Sequence, residues 1–422
     1  MKRRLALIGC GLPILALVVL VAGVRLFVPW RHWQPPAVEL PSPNAFDDYL
    51  RAGALSSENY KVLDPDDDPY LNRAARRRLL AENAEALGVL RAGFAHAYVE
   101  PREHAVAGDN AYYAHCRRLG RLLSLEATEH AANGRYAAAL DSQLDAERLG
   151  FDLPRRTGVI GDLVSNAVRA IGRSEKVVQP RIDHLTAAEA RAAASRLAGL
   201  LAGEQDHFQT FLDEGDIELA TWTNMARSQG SFKVADNLAD NGSSGPQLAW
   251  AVFGVGPWLV EERRYLAAAA AWAKLPWNAA PPPRPGLLFS MHRDEKNGGF
   301  ARGVHFKRCQ ADACDQMFLA ALALQAWRAE HGRYPDTLDA LAPDILPAAP
   351  PDPFGRGPLK YRLDGEKYVL YSVGPDGVDD GGQPGAIQDE KTGAWRYNSL
   401  VVQSRGDLVW GLSEANINQP IP

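Results

Sequence analysis

Three carboxylates crowd the stretch Tyr368–Gly382, YVLYSVGPDGVDDGG, where Asp376, Asp379 and Asp380 fall within five positions. Alone they repel one another; around a hard cation they become oxygen ligands. Gly374, Gly377, Gly381 and Gly382 free the backbone around them. This pattern predicts cation binding in a structural role rather than a reaction. No other constellation is as specific. The chain has no Gly-x-Ser-x-Gly elbow, Walker loop, dinucleotide fingerprint or His-Glu-x-x-His. The acidic run Asp213, Glu214, Asp216, Glu218 reads as a solvated helix face. Cys309 and Cys314 lie five apart; in one continuous helix they would point away from each other, so pairing requires a break. A zinc site built from them with His292 and His305 matches no standard spacing.

The elements around the loop follow from pattern. Leu359, Tyr361 and Leu363 alternate with Lys360 and Arg362, which predicts a strand with one wet face over 359–363. A second strand spans 367–373 and a third 407–412. Asp364-Gly365 signals a type I′ hairpin. Upstream, Ala311–His331 is a strong helix, apolar on most of its circumference and so buried on more than one side. Gly332 ends it, and Asp336–Leu341 forms a short capped helix.

Further back, the chain is alanine-, leucine- and arginine-rich with helical spacing. Helices are expected at Tyr70 to about Phe94, Ala111–Asn133, Arg135–Leu149, Gly158–Val178, Ala187–Leu201, Gln205–Arg227 and Gln247–Leu275. Asp68 followed by Pro69 fits a cap before the first of these, at the end of an acidic cluster, and Pro180 reads as a helix stop. Asp236–Pro246 is a loop. Asn133–Leu140, with Ala146, resembles the middle of a tetratricopeptide repeat, with Tyr136 wedged between helices. No second copy recurs at a fixed period, so a helical hairpin is expected rather than a solenoid.

At the N-terminus, Met1–Arg4 is a basic cap on the uncharged run Leu5–Val24, about the 20 residues that span a hydrocarbon core. Trp30 and Trp33 suit an interfacial belt. The expected layout is a transmembrane signal anchor at 1–28, a proline-rich spacer at 29–43, an α-helical domain at 44–275, a proline-rich linker at 276–286 and an α+β unit at 287–422. Lys/Arg in the cap place the bulk of the chain outside the cytoplasm, on the periplasmic side of an inner membrane. The net charge of -5 over 422 residues supplies no field that would attract nucleic acid.

His331-Gly-Arg-Tyr-Pro335, Leu338/Leu341, Pro347, Asp352-Pro-Phe-Gly355, Tyr361 and Tyr371-Ser-Val-Gly-Pro-Asp-Gly377 occur in an order that resembles the globular part of the major pseudopilin of type II secretion. The resemblance covers roughly Asp315 to Leu412. It implies a long helix laid on a small antiparallel sheet, with a calcium ion holding the loop after the second strand. It further implies Ca²⁺ ligands at Asp376 and in Asp379/Asp380, a backbone carbonyl near Ser372, and Asp407 closing the loop. The insert between Gly382 and Asp407 is longer than the family's loop and offers Asp389 as a substitute. The chain also departs from the family in its start: no Gly-Phe-x-x-x-Glu leads it, and nearly three hundred residues separate the apolar run from the domain helix. It looks like a borrowed domain without the polymerisation mechanism. The function expected is a non-enzymatic, membrane-anchored envelope protein with a calcium-stapled domain, accessory to a secretion or pilus-like system. The alternatives are a tetratricopeptide-like scaffold and a hydrolase with its site among the helices.

Overall fold

The computed structural model describes residues 18–19, 36–57, 68–108, 110–173, 175–229, 256–284, 299–388, 393, 395–397 and 400–411. Asn44 precedes the first helix named below. Its side chain accepts the amide of Phe46 and donates to the carbonyl of Val99, capping α1 (Ala45–Leu55) and tying it to a segment 55 positions away. The helix expected from Tyr70 to Phe94 is two helices, α2 (Arg73–Glu82) and α3 (Ala84–Gly93). The cap is Asn72 rather than Asp68, which instead accepts the amide of Tyr70. The break falls at Asn83, whose side chain exchanges hydrogen bonds with the backbone of Ser57 and so works as a clamp.

Next come α4 (Arg102–Ala107), α5 (Asn110–Ala131), α6 (Tyr136–Asp152) and α7 (Gly158–Gly172). After them run α8 (Glu175–Ile182), α9 (Ala187–Ala202), α10 (His207–Gln229) and α11 (Gly256–Trp272). The helix expected over Gly158–Val178 is therefore split, and Pro180 sits inside α8 rather than stopping a helix. Helices α5 and α6 form the expected hairpin, turning at Gly134 with φ 72°. Tyr136 packs against the core that includes Leu140 and Leu144 and stacks on His184, ring centroids 4.2 Å apart. A capping box between Thr186 and Glu189 opens α9.

Helix α12 (Phe300–His331) begins eleven residues before the apolar pattern announced it and ends at Gly332, φ 73°, as expected. It packs on α7, α8 and α9 and on strand β2, burying Met317, Phe318, Leu322 and Leu324. Apolar residues on both sides of the proline-rich stretch share one core: Leu144, Ile182 and Leu197 with Phe318, Leu370 and Trp410. Gln179 of α8 stitches the helices to the sheet, its side-chain oxygen accepting Trp410 Nε1 at 2.6 Å and Tyr368 OH at 3.3 Å.

Strands β1 (Lys360–Asp364), β2 (Lys367–Ser372) and β5 (Leu408–Val409) form an antiparallel sheet in the order β1–β2–β5. Strands β3 (Ala386–Gln388) and β4 (Trp395–Tyr397) pair separately. The fold is thus α+β: among the described residues, twelve helices with a small antiparallel sheet. Asp364 pairs with Lys367, so the turn residues are Gly365 and Glu366, and of these only Gly365 has positive φ, 61°. That is the type II′ requirement, not type I′. Asp336–Leu341 reduces to a 3₁₀ turn at Leu338–Leu341, which still buries both leucines. No helix among the described residues is long and apolar enough to cross a membrane. The run Leu5–Val24 lies outside them apart from Val18 and Val19, as do the loop Asp236–Pro246 and Asp389.

Buried charge fixes α12 against the helices. Arg169, fully buried over the face of Phe151, pairs with Glu204 at 2.7 Å, with Asp312 at 3.3 Å and with Asp315. Arg173 reaches Asp315 at 2.5 Å and Glu147 at 3.7 Å. Arg308 holds Asp162, Glu204 and Asp312 at 3.2, 2.6 and 2.8 Å. Such a lattice fixes a single packing geometry more than it adds net stability, because each charge must first be stripped of water.

The acidic run on α10 is not the solvated face its composition suggests. Asp213 is buried against Arg156, and Glu214 accepts the amide of Val159 at the start of α7. Thr157 leaves that helix without a side-chain cap, so a carboxylate from α10 takes the place. Burial, with the charge of Glu218 adding to it, pushes Glu214 up to about 7.

Candidate functional site

The glycine-rich loop leaves β2 at Ser372. Ser372 is fully buried and donates its hydroxyl to Asp352 at 2.6 Å. The other oxygen of Asp352 accepts the amide of Val373, and its first also accepts that of Phe354. Asp352 thereby fixes the strand end from which the loop departs. In the sequence Asp352 is marked only by the Asp-Pro-Phe-Gly motif; the Asp-Pro turn around it is the signal that it holds backbone.

From there the chain turns at Gly374, where φ is +69° and an added Cβ would stand 2.4 Å from the carbonyl oxygen of Gly406. The two arms of the loop touch there, so only glycine fits. Trp277 Nε1 and Asn278 Nδ2 both donate to the carbonyl of Pro375, at 2.7 and 3.0 Å. The stretch expected to act as an extended linker therefore clamps the loop, and Arg302 bonds Asn278 from α12.

The carboxylates divide into two groups. Asp379 accepts Tyr371 OH at 2.9 Å and the amide of Gly381 at 3.0 Å, with Lys360 at 3.4 Å. Asp407, fully buried, accepts the amide of Gly382 at 2.7 Å and that of Asp380 at 3.4 Å. Its backbone brackets the same arm, donating to Gln383 and accepting from Gly385. Burial pushes the Asp407 carboxyl up to about 6; the two amides oppose this, while the charges of Asp380 and Asp379 add to it. Asp379, Asp380 and Asp407 are thus close enough to feel one another. Asp376 accepts the amide of Val378 and lines a cleft of about 760 Å³ together with Trp277, Phe354, Tyr361 and Asp379. The Ser372 hydroxyl is committed to Asp352.

Of the five residues implied as ligands, Asp407 accepts the amide of Asp380 and feels the charges of Asp380 and Asp379. Among the described residues no group of three or more His, Cys, Asp or Glu side chains stands in a metal-holding arrangement. The donor chemistry nevertheless suits calcium: hard carboxylate oxygens on a glycine-rich loop, one of them buried beside like charges. Elsewhere, Cys309 and Cys314 lie on the unbroken α12 and form no disulfide with each other. Cys309 Sγ is 3.7 Å from a His305 nitrogen, and burial raises its thiol far above the ordinary range, leaving it inert. His292 lies outside the described residues.

Set against known proteins, the chain matches no family model, no curated protein and no solved structure. The pseudopilin resemblance rests on the order of its motifs alone.

Proposed function

We propose that this chain is a non-enzymatic envelope protein, anchored by a single N-terminal span in the inner membrane with its bulk on the periplasmic side. Its pseudopilin-like C-terminal unit is stapled by one structural calcium ion. Asp379, Asp380 and Asp407 would hold the ion, with Asp376 at the near rim and Ser372 contributing no side chain. Bound there, calcium would neutralise clustered carboxylates and offset the entropy of ordering a glycine-rich loop.

The observation that carries this reading is Asp407. A fully buried carboxylate, held by loop amides and beside two other carboxylates, is a position that a cation relieves. The anchor is supported by the apolar run behind its basic cap. An accessory role in a secretion or pilus-like system is supported by the order of motifs in the C-terminal unit. Crosslinking in intact cells tests that role. Recovery of secretion or pilus components is expected, and their consistent absence removes it while leaving the calcium claim to its own test.

A further inference from the structure

Strand β1 is an edge. The order β1–β2–β5 leaves one side of it without a neighbouring strand among the described residues. Asp364 and Lys367 flank a two-residue turn, so Asp364, Arg362 and Lys360 exchange hydrogen bonds with β2. The amides and carbonyls of Tyr361 and Leu363 then point outward. The edge opens at Tyr361, because the amide just before β1, that of Leu359, is taken by the carbonyl of Pro350 at 2.9 Å. Natural proteins cover or blunt such edges. This one carries Leu363 with 39% of its surface exposed.

We propose that β1 pairs with β1 of a second copy of this chain, antiparallel about a two-fold axis through Leu363, joining the two sheets into one. The charge pattern selects the occupant and the register. About this axis Leu363 meets Leu363, Arg362 of each copy meets Asp364 of the other, and Lys360 meets Glu366. A register centred on Arg362 sets two guanidinium groups face to face, and one centred on Tyr361 sets Lys360 against Arg362; both place like charges opposite each other. Lys360 already pairs with Asp379, so Arg362–Asp364 is the deciding contact. A closed two-fold contact also stops at the dimer, which an open edge does not. Two five-residue strands meet across it, a contact short of the ~1,200–2,000 Å² typical of stable interfaces, so the pairing is weak and reversible.

The test is disulfide trapping of the full-length chain in membranes, with the parent chain as background. Leu363→Cys places two thiols at the axis. It is expected to form linked dimers about tenfold faster than Val378→Cys, an exposed position off the edge, because pairing raises the effective thiol concentration. Arg362→Glu or Asp364→Arg, each added to Leu363→Cys, brings the rate down to the Val378→Cys level. Combining the two reversals restores it. Equal rates for the two cysteine variants, single reversals without effect, or a double reversal that fails to rescue each overturn the proposal.

Discussion

The carboxylate of Asp407 and the amide of Gly382 lie 2.7 Å apart, which ties the far arm of the loop to the strand that closes it. The bond is charge-assisted, and the carboxylate is fully buried. Asp407→Ala leaves the amides of Gly382 and Asp380 without their acceptor. A loss of about 1–3 kcal/mol is expected in urea unfolding. A variant as stable as the parent contradicts the anchoring role.

Two glycines separate strain from contact. Gly134→Ala, at φ +72° with open space around the added methyl, should lose only about 1 kcal/mol from left-handed strain. Gly374→Ala adds a collision with the Gly406 carbonyl and should lose about 3 kcal/mol or more. Paired denaturation curves decide it; equal losses mean the two loop arms do not touch.

Removing one partner of the Arg169–Asp315 pair strands the other in the core. Asp315→Asn is expected to destabilise by about 3–5 kcal/mol, the usual range for a broken buried pair. Limited proteolysis should then cut α12 away from the helices. An unaffected variant shows that the lattice does not hold α12 in place.

Glu147 gives stability a pH dependence. It is fully buried, 3.7 Å from Arg173, with no hydrogen bond to either oxygen. Burial pushes it from 4.5 up to about 7, against the pull of Arg173 and Arg169. The folded state therefore holds a proton that the unfolded chain releases. The contribution is full below pH 4.5 and is lost as pH rises through about 7. Glu147→Gln should flatten part of that fall, with Glu214 titrating in the same window. An unchanged slope from pH 4.5 to 7 contradicts the assignment.

Local signals in the sequence carried much of the fold. The hairpin, the stop at Gly332 and the bounds of α9 follow from alternation, a turn glycine and helical spacing, all short-range. Partners far apart in sequence were illegible. Arg169 and Asp315 are 146 positions apart, and nothing near either marks it as buried. The acidic run on α10 misled for the same reason: its composition is that of a wet face, and the packing of α4, α7 and α11 buries it. The first eleven residues of α12 carry His305, Arg308 and Cys309 inward, so no apolar stripe marks them. In the loop the aspartate cluster was visible, but not that Ser372 would turn to Asp352 or that Trp277 would clamp Pro375.

The calcium claim is tested most directly by thermal unfolding in excess chelator against millimolar Ca²⁺. Extracellular sites bind at about 10⁻⁴–10⁻³ M, so ~1 mM calcium should add about 0.4–1.4 kcal/mol and raise the midpoint by up to a few degrees. Asp379→Ala combined with Asp380→Ala should remove the response while the helical region still melts cooperatively. A midpoint identical with and without calcium in the parent chain contradicts the account.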